Sequence, residues 1–409
     1  MSNLRRTYHD PLHGAIALDG TDRVEALLIQ LIDTPAFQRL RRIRQLGPAS
    51  LTFHGAESSR FTHSLGVMAI ARRAFDRLAK AYPELLPHRA TVLCSALLHD
   101  IGHGPFSHTC EEIFGGHHEF WTERILREST PIRGLLDPFD PDLRMQMEWV
   151  YQKQHEIPLV WQLVSSQLDC DRLDYLMRDS YFSGASYGRL DLDRILLALD
   201  YDADSGQLVV ARKGMGAIEH YLIVRYFMYA QVYNHPKNLA ATWVLEQAFR
   251  RARELFAKGD LTADETVCAW FQQDCDTLSL DQYLAADDGV FMYHLQRWQH
   301  HSDTVLADLC RRFIDRDLPK AHNLSHLSSD QQQEILQQVE RSLAWAGLEP
   351  QYYTGIRITL SRGYTLYQRG IKLRTDSGLQ EISEQSPLVK TLTQSLQQHW
   401  LISPHPIDL

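Results

Sequence analysis

The chain has 409 residues, 44% of them hydrophobic and 23% charged, with a net charge of -9. That composition belongs to a globular protein with one large core and an appended lobe, or with two domains. It excludes a run of eighteen apolar residues to span a membrane, shows no apolar stretch behind the start Met1-Ser2-Asn3-Leu4-Arg5-Arg6 that would act as a secretory leader, and argues against duplex nucleic acid as a partner, because phosphate neutralisation favours a basic surface.

In chain order, Val24, Leu27, Leu28, Leu31 and Ile32 recur at helical spacing, Pro35 interrupts them, and Phe37, Leu40 and Ile43 resume the pattern. Leu65, Met68, Phe75 and Leu78 line one face of a helix that stops before Pro83. Pro87 is expected to open the next, with Val92, Leu93, Ala96 and Leu97 facing the core and Gly102 and Gly104 ending it. Pro105 is expected to start a short helix closed by Gly115-Gly116. Asp202-Ala203-Asp204-Ser205-Gly206, between Tyr201 and Leu208-Val209-Val210, reads as a hairpin. Residues 215–257 form a long helical stretch broken at Pro236, and Ser328 with Gln331 makes a capping box for a helix ending at Gly347. The period then changes. Ile356, Ile358 and Leu360 alternate, as do Ile371 and Leu373, and Asp376-Ser377-Gly378 is a turn. The expected fold is mainly α: a helical bundle over 1–349, with any metal core at about 50–180, and a small C-terminal α+β lobe over 350–409. Six scattered cysteines without a Cys-x-x-Cys pair read as free thiols in a reducing cytosol, which makes the expected location cytoplasmic.

Eight of the 20 histidines fall between His54 and His118. The stretch Leu98-His99-Asp100-Ile101-Gly102-His103-Gly104-Pro105 ends an apolar helix in an adjacent imidazole and carboxylate, which a divalent metal would neutralise. His63, in Arg60-Phe61-Thr62-His63, and Asp171, in Asp169-Cys170-Asp171-Arg172, lie on other helices. Two imidazoles and two carboxylates from three helices suit a metal site in a bundle core, with positions left open for water. Any one of these histidines taken alone is more often a hydrogen-bonded core residue.

Five segments (residues 9–14, 33–47, 60–66, 98–108 and 169–179) together resemble the HD-domain metal phosphohydrolases, and most closely the branch that hydrolyses deoxynucleoside triphosphates, the dNTPases, including the catalytic core of those that join a SAM and an HD domain. The resemblance implies an HD-domain helical bundle core with the metal on His63, His99, Asp100 and Asp171. It implies one divalent transition ion (Mn, Fe, Co, Ni or Zn), with Mg accompanying the triphosphate. The reaction expected is attack of metal-activated hydroxide on the α-phosphorus, releasing deoxynucleoside and intact triphosphate. A 5′-alkoxide leaves poorly, so a proton donor is required. His108 is the expected donor, with Glu111 one helical turn on as its partner; Glu111 as a solvated helix residue is the alternative. Relatives place His103 and His118 at the α-phosphate as well.

The same match assigns Arg60, Arg172 and Arg225 to phosphate contacts, although each alone reads equally as a solvated or paired residue. Arg172 stands where relatives commonly carry lysine, which exchanges a point charge for a forked donor. Gln45, Tyr175 and Asp179 are implied in sugar selection. Tyr233 is a candidate to stack on the base, unless its aromatic series is simply helix core. Relatives that bind an activating nucleotide between subunits do so with residues matching Asp33, Gln38 and Arg41; here Asp33-Thr34-Pro35 is alternatively a capped helix start. A homo-oligomer, dimer or tetramer, goes with that expectation. The competing readings are an HD-type phosphodiesterase or nuclease on single-stranded or cyclic nucleotides, and a non-catalytic nucleotide-sensing interaction module.

Overall fold

The computed structural model describes residues 5–361, 363–365 and 370–404. Residues 1–4, read for a leader, and the last five residues of the 350–409 lobe lie outside them. Among the described residues the fold is mainly α, with three small sheets, and no helix is long and apolar enough to cross a membrane.

The helix Arg60–Ala81 begins where the Ser59 hydroxyl accepts from the Thr62 amide and ends against Pro83. It buries Phe61, Leu65, Met68, Phe75 and Leu78, with His63 fully buried among them. Beside it runs Cys170–Ser183, capped by the Asp169 carboxylate and closed by Gly184 in the left-handed region at φ 75°. Gly66 permits their close approach: a Cβ there would lie 2.0 Å from Asp174 Oδ1. The third helix of the site, Arg89–Leu98, runs into His99 and Asp100.

Two apolar cores result. Leu97, Leu98 and Ile101 belong to the first, with the helices just named; Phe106 and Cys110 belong to the second, built on Pro236–Lys258, Asp288–Trp298 and Thr304–Ile314. The segment 99–108 therefore crosses from one core to the other, and the histidines it carries sit at their junction.

Some boundaries differ from expectation. Pro87 lies inside a 3-10 stretch, Pro83–His88, and the helix it was expected to open starts at Arg89. The short helix expected from Pro105 starts at His108, because Phe106 and Ser107 take φ values of 61° and 59°, outside the helical region. The break at Pro236 is present, preceded by a π-helical turn over Tyr229–Tyr233. Both halves of the Ser328/Gln331 capping box form. A hairpin of Arg5–Asp10 with Gly14–Asp19 is added at the N-terminal end. Past residue 350 the strands do not make a sheet of their own. Lys372–Thr375 pairs in parallel with Gln207–Ala211, and Leu396–Ser403 lies between Gly355–Ser361 and Lys320–Asn323. Both sheets thus cross the boundary drawn at 350. The six cysteines are unpaired.

Candidate metal centre and active site

The Nε2 atoms of His63 and His99 face each other at 3.3 Å, with Asp171 Oδ1 at 3.1 Å from the first and 3.5 Å from the second. Asp100 closes the group, Oδ2 at 3.5 Å from His63 Nε2 and Oδ1 at 3.3 Å from His99 Nε2. The other ring nitrogens are engaged: His63 Nδ1 with Asp174 Oδ2 at 2.8 Å, His99 Nδ1 with the Ala96 carbonyl at 2.8 Å. A carbonyl only accepts, so His99 carries its proton on Nδ1, and the carboxylate of Asp174 favours the same tautomer in His63. The Nε2 lone pairs of His63 and His99 then converge with Asp171 Oδ1 on one point, which needs a cation, while Asp100 turns a separate oxygen to each histidine. The residues fit a divalent ion bound by nitrogen and oxygen donors. Burial opposes charge on His63, but its bonds to Asp171 and Asp174 prevail and raise its pKa to about 10. Without an ion, a proton would take the ion's place.

A second cluster abuts the first. His103 Nε2 is 3.3 Å from Asp100 Oδ1, and its ring stacks on His118 with centroids 3.9 Å apart. Glu111 Oε1 accepts from His118 Nδ1 at 2.6 Å and lies 3.7 Å from His108 Nδ1. The carboxylate expected to serve His108 is thus hydrogen-bonded to His118 instead. Burial works against ionisation of Glu111, yet the two histidines outweigh it and hold the acid well below the usual carboxylate range. Burial, with Arg60 and His118 adding to it, holds His103 well below the usual imidazole range, so it is neutral. His118 borders a cavity of about 70 Å³ shared with His99, Asp100 and Asp171, while His108 lines a cavity of about 900 Å³ with Gln45, Tyr233, Trp243 and Arg357. We expect Glu111→Gln to leave metal content unchanged and to lower kcat by up to about 100-fold, the usual contribution of the proton transfer that the histidines around it would supply. Steady-state kinetics beside metal analysis checks it.

Comparison with known proteins places this geometry. Residues 60–172 match the family model described as HD domain, and residues 190–404 the one described as HD associated region. An uncharacterized protein, YwfO of Bacillus subtilis, is 37% identical over 95% of this chain and 89% of its own length. The chain belongs to the HD-domain family. A crystal structure of a phosphohydrolase from Bacteroides thetaiotaomicron superposes with a TM-score of 0.85 at 28% identity, covering 98% of this chain and 99% of the other. A Dictyostelium discoideum protein named as a deoxynucleoside triphosphate triphosphohydrolase SAMHD1 homolog is 31% identical over 63% of this chain and 51% of its own length.

Around the HD-domain cluster the expected phosphate contacts are already engaged. Arg60, with its side chain 4% exposed, bonds Asp100 Oδ2 at 2.5 Å and Ser107 Oγ at 2.9 Å. Arg172 pairs with Asp169, and Arg225 Nη1 donates to Gln167 Oε1 at 2.9 Å; the Nε of each is buried without a protein partner. Tyr175 packs edge-on to Tyr233, whose hydroxyl donates to Asp179 Oδ2 at 2.8 Å. Burial raises the Asp179 pKa to about 7 against that bond, and its Oδ1, like Gln45 Oε1, has no partner. The residues proposed for a regulatory nucleotide lie apart from the cluster. Asp33 pairs with Arg6 at 2.6 Å, Gln38 Oε1 accepts from Arg41 Nε at 2.8 Å, and Arg41 lies over the Phe61 ring at 3.5 Å.

Sequence reasoning gave no role to the group behind His63. Asp174 Oδ1 meets His13 Nε2 at 2.5 Å, and Arg178 binds both Asp174 and Asp10, at 2.7 and 2.8 Å. Asp10, His13, Asp174 and Arg178 all stand in the segments that carry the family resemblance, which was the available signal.

Proposed function

We propose that this HD-domain protein hydrolyses deoxynucleoside triphosphates to deoxynucleoside and inorganic triphosphate. The observation that carries the reading is the junction of the two clusters: a cation nest of His63, His99, Asp100 and Asp171 sharing Asp100 with a histidine–glutamate group that opens, through His108, onto a cavity of nucleotide-site size. Bound there, a divalent ion (Mn, Fe, Co, Ni or Zn) would lower the pKa of water and polarise a phosphate oxygen.

The chain's own residues supply the rest. Arg60 stays on Asp100 and offsets its charge, so phosphate contact falls to the unpartnered Nε groups of Arg172 and Arg225. His108 hands a proton to the departing 5′-oxygen, and Glu111 holds His118 and the neighbouring ring in place. Neutral His103 packs between Asp100 and His118, where it adds no charge to repel the ion. The free Oδ1 of Asp179 accepts a sugar hydroxyl, Tyr175 limits room at the 2′ position, and Tyr233 borders the base. The likeness to the Dictyostelium triphosphohydrolase supports this substrate class. With it goes a regulatory nucleotide at Asp33, Gln38 and Arg41 in a homo-oligomer, with Mg on the triphosphate.

Incubation with each dNTP and NTP in turn, with Mn²⁺ and with chromatography of the products, tests the proposal. The expected result is deoxynucleoside and triphosphate in equal amounts from dNTPs, with NTPs spared. Monophosphate from cyclic or single-stranded substrates would favour a phosphodiesterase or nuclease, and inactivity of metal-replete protein on every nucleotide a sensing module.

A further inference from the structure

His108 follows two residues held in a backbone shape that their side chains disfavour. Phe106 and Ser107 both take positive φ, at 61° and 59°, which side chains other than glycine's disfavour. Ser107 is tied within the loop, its amide donating to the Gly104 carbonyl at 3.1 Å, and its hydroxyl donates to the Arg44 carbonyl; Phe106 is tied from further away. The Phe106 amide donates to Asp288 Oδ1 at 2.7 Å, and the other oxygen, Oδ2, accepts from the Arg44 amide at 3.0 Å. Asp288 opens the helix Asp288–Trp298 and is buried. Its two oxygens thus join the loop that carries His108 to the segment that carries Gln45, the two sides of the large cavity. The walls touch nearby: a Cβ on Gly47 would stand 2.6 Å from the Phe106 carbonyl oxygen.

We propose that Asp288 is a positioning residue that holds His108 and Gln45 in register across the cavity, through one carboxylate bridging two backbone amides. The inference rests on the reading of that cavity as the substrate site. The bridge requires both oxygens to accept. A protonated acid or an amide turns a donor toward one of the two N–H groups and breaks one bond. Charged groups face Asp288 from several sides: Arg44 on the bridged segment, Asp287 beside it with Arg42 paired to Asp287, and Arg39, which bonds the Ala286 and His103 carbonyls. Burial dominates and raises the Asp288 pKa to about 6. The bridge is therefore intact above that pH and opens as acid is added. The linkage runs the other way for stability: ionising this group costs folding free energy above about pH 6, and the cost is relieved toward its unfolded value.

The test measures turnover of a dNTP mixture with Mn²⁺ from pH 5 to 8, and Tm, for wild type, Asp288→Asn and Asp287→Asn. Asp287 caps the same helix through the Gly289 and Val290 amides and does not touch the loop. Asp288→Asn is expected to lose about tenfold in kcat at pH 7.5, with Tm within a few degrees of wild type. Asp287→Asn should keep both kcat and Tm close to wild type, because asparagine caps a helix as aspartate does and the pair lost is with an exposed Arg42. The ratio of wild-type to Asp288→Asn kcat should shrink toward one as pH falls through about 6. A ratio independent of pH, or parallel losses of Tm and kcat, overturns the proposal. Amide exchange on the wild type supplies a readout free of activity and of folding in the variant. Protection factors of Phe106 and Arg44 should fall together between pH 7 and 5, and unchanged protection overturns the bridge. Wild type inactive on every dNTP, with that joint fall still seen, would sink the function proposed above and leave the bridge standing.

Discussion

Asp171→Ala is expected to release the metal and abolish turnover while leaving the fold in place. Asp171 is the one member of the nest contributed by the helix Cys170–Ser183, and its Oδ1 is within 3.5 Å of both Nε2 atoms. Its side chain is 29% exposed, so truncation opens no closed cavity in either core. Removing an outer partner of a metal ligand costs about 10–100-fold in affinity, and a ligand itself should cost more. Elemental analysis of the purified variant should find less than roughly a tenth of the wild-type metal, with an unchanged far-ultraviolet circular dichroism spectrum. A variant that keeps its metal and its rate would remove Asp171 from the ligand set.

Asp174→Asn should be the most damaging conservative change for stability. Asp174 is fully buried and accepts from His13, His63 and Arg178. Burial opposes its charge, but Arg178 and the two histidines hold its pKa well below the ordinary range. An asparagine points an N–H₂ group at donors and leaves Arg178 with Asp10 alone. Breaking a buried pair from one side costs about 3–5 kcal/mol, and the surviving bond to Asp10 puts the expectation at the lower end. Because the folded value is depressed, Asp174 contributes above its unfolded pKa of about 4, and the contribution is lost as pH falls toward the folded value. Urea unfolding at pH 7 and at pH 3.5, with chelator present, should therefore show a large difference between wild type and variant that narrows in acid. Metal titration should show about 10–100-fold weaker binding, since Asp174 orients His63. Equal stability of the two proteins at neutral pH would contradict this account of the buried pair.

What the sequence made legible was local. The helix over Arg60–Ala81, the end of the apolar helix at His99 and Asp100, the break at Pro236 and the Ser328 box are set by neighbours within a few residues. The nearness of His63, His99, Asp100 and Asp171 was legible because charged and imidazole side chains stood out against apolar helices, and the structure sets both carboxylates within 3.5 Å of both Nε2 atoms. What was not legible depends on partners far along the chain. His13 lies 161 residues from Asp174, and Phe106 lies 182 from Asp288. No periodicity records such a pairing. The start of the short helix differs from expectation because Phe106 and Ser107 hold a backbone shape their own side chains disfavour, tied to Asp288 and Arg44, residues distant along the chain. The strands beyond 350 alternated visibly, but alternation does not say that Lys372–Thr375 would join a hairpin near residue 200.

Hydrolysis in ¹⁸O-labelled water tests the central claim most directly. Attack at the α-phosphorus with departure of the 5′-oxygen puts one labelled oxygen on the released triphosphate and none on the deoxynucleoside. Label found instead on a nucleoside monophosphate, with pyrophosphate as the other product, would contradict it.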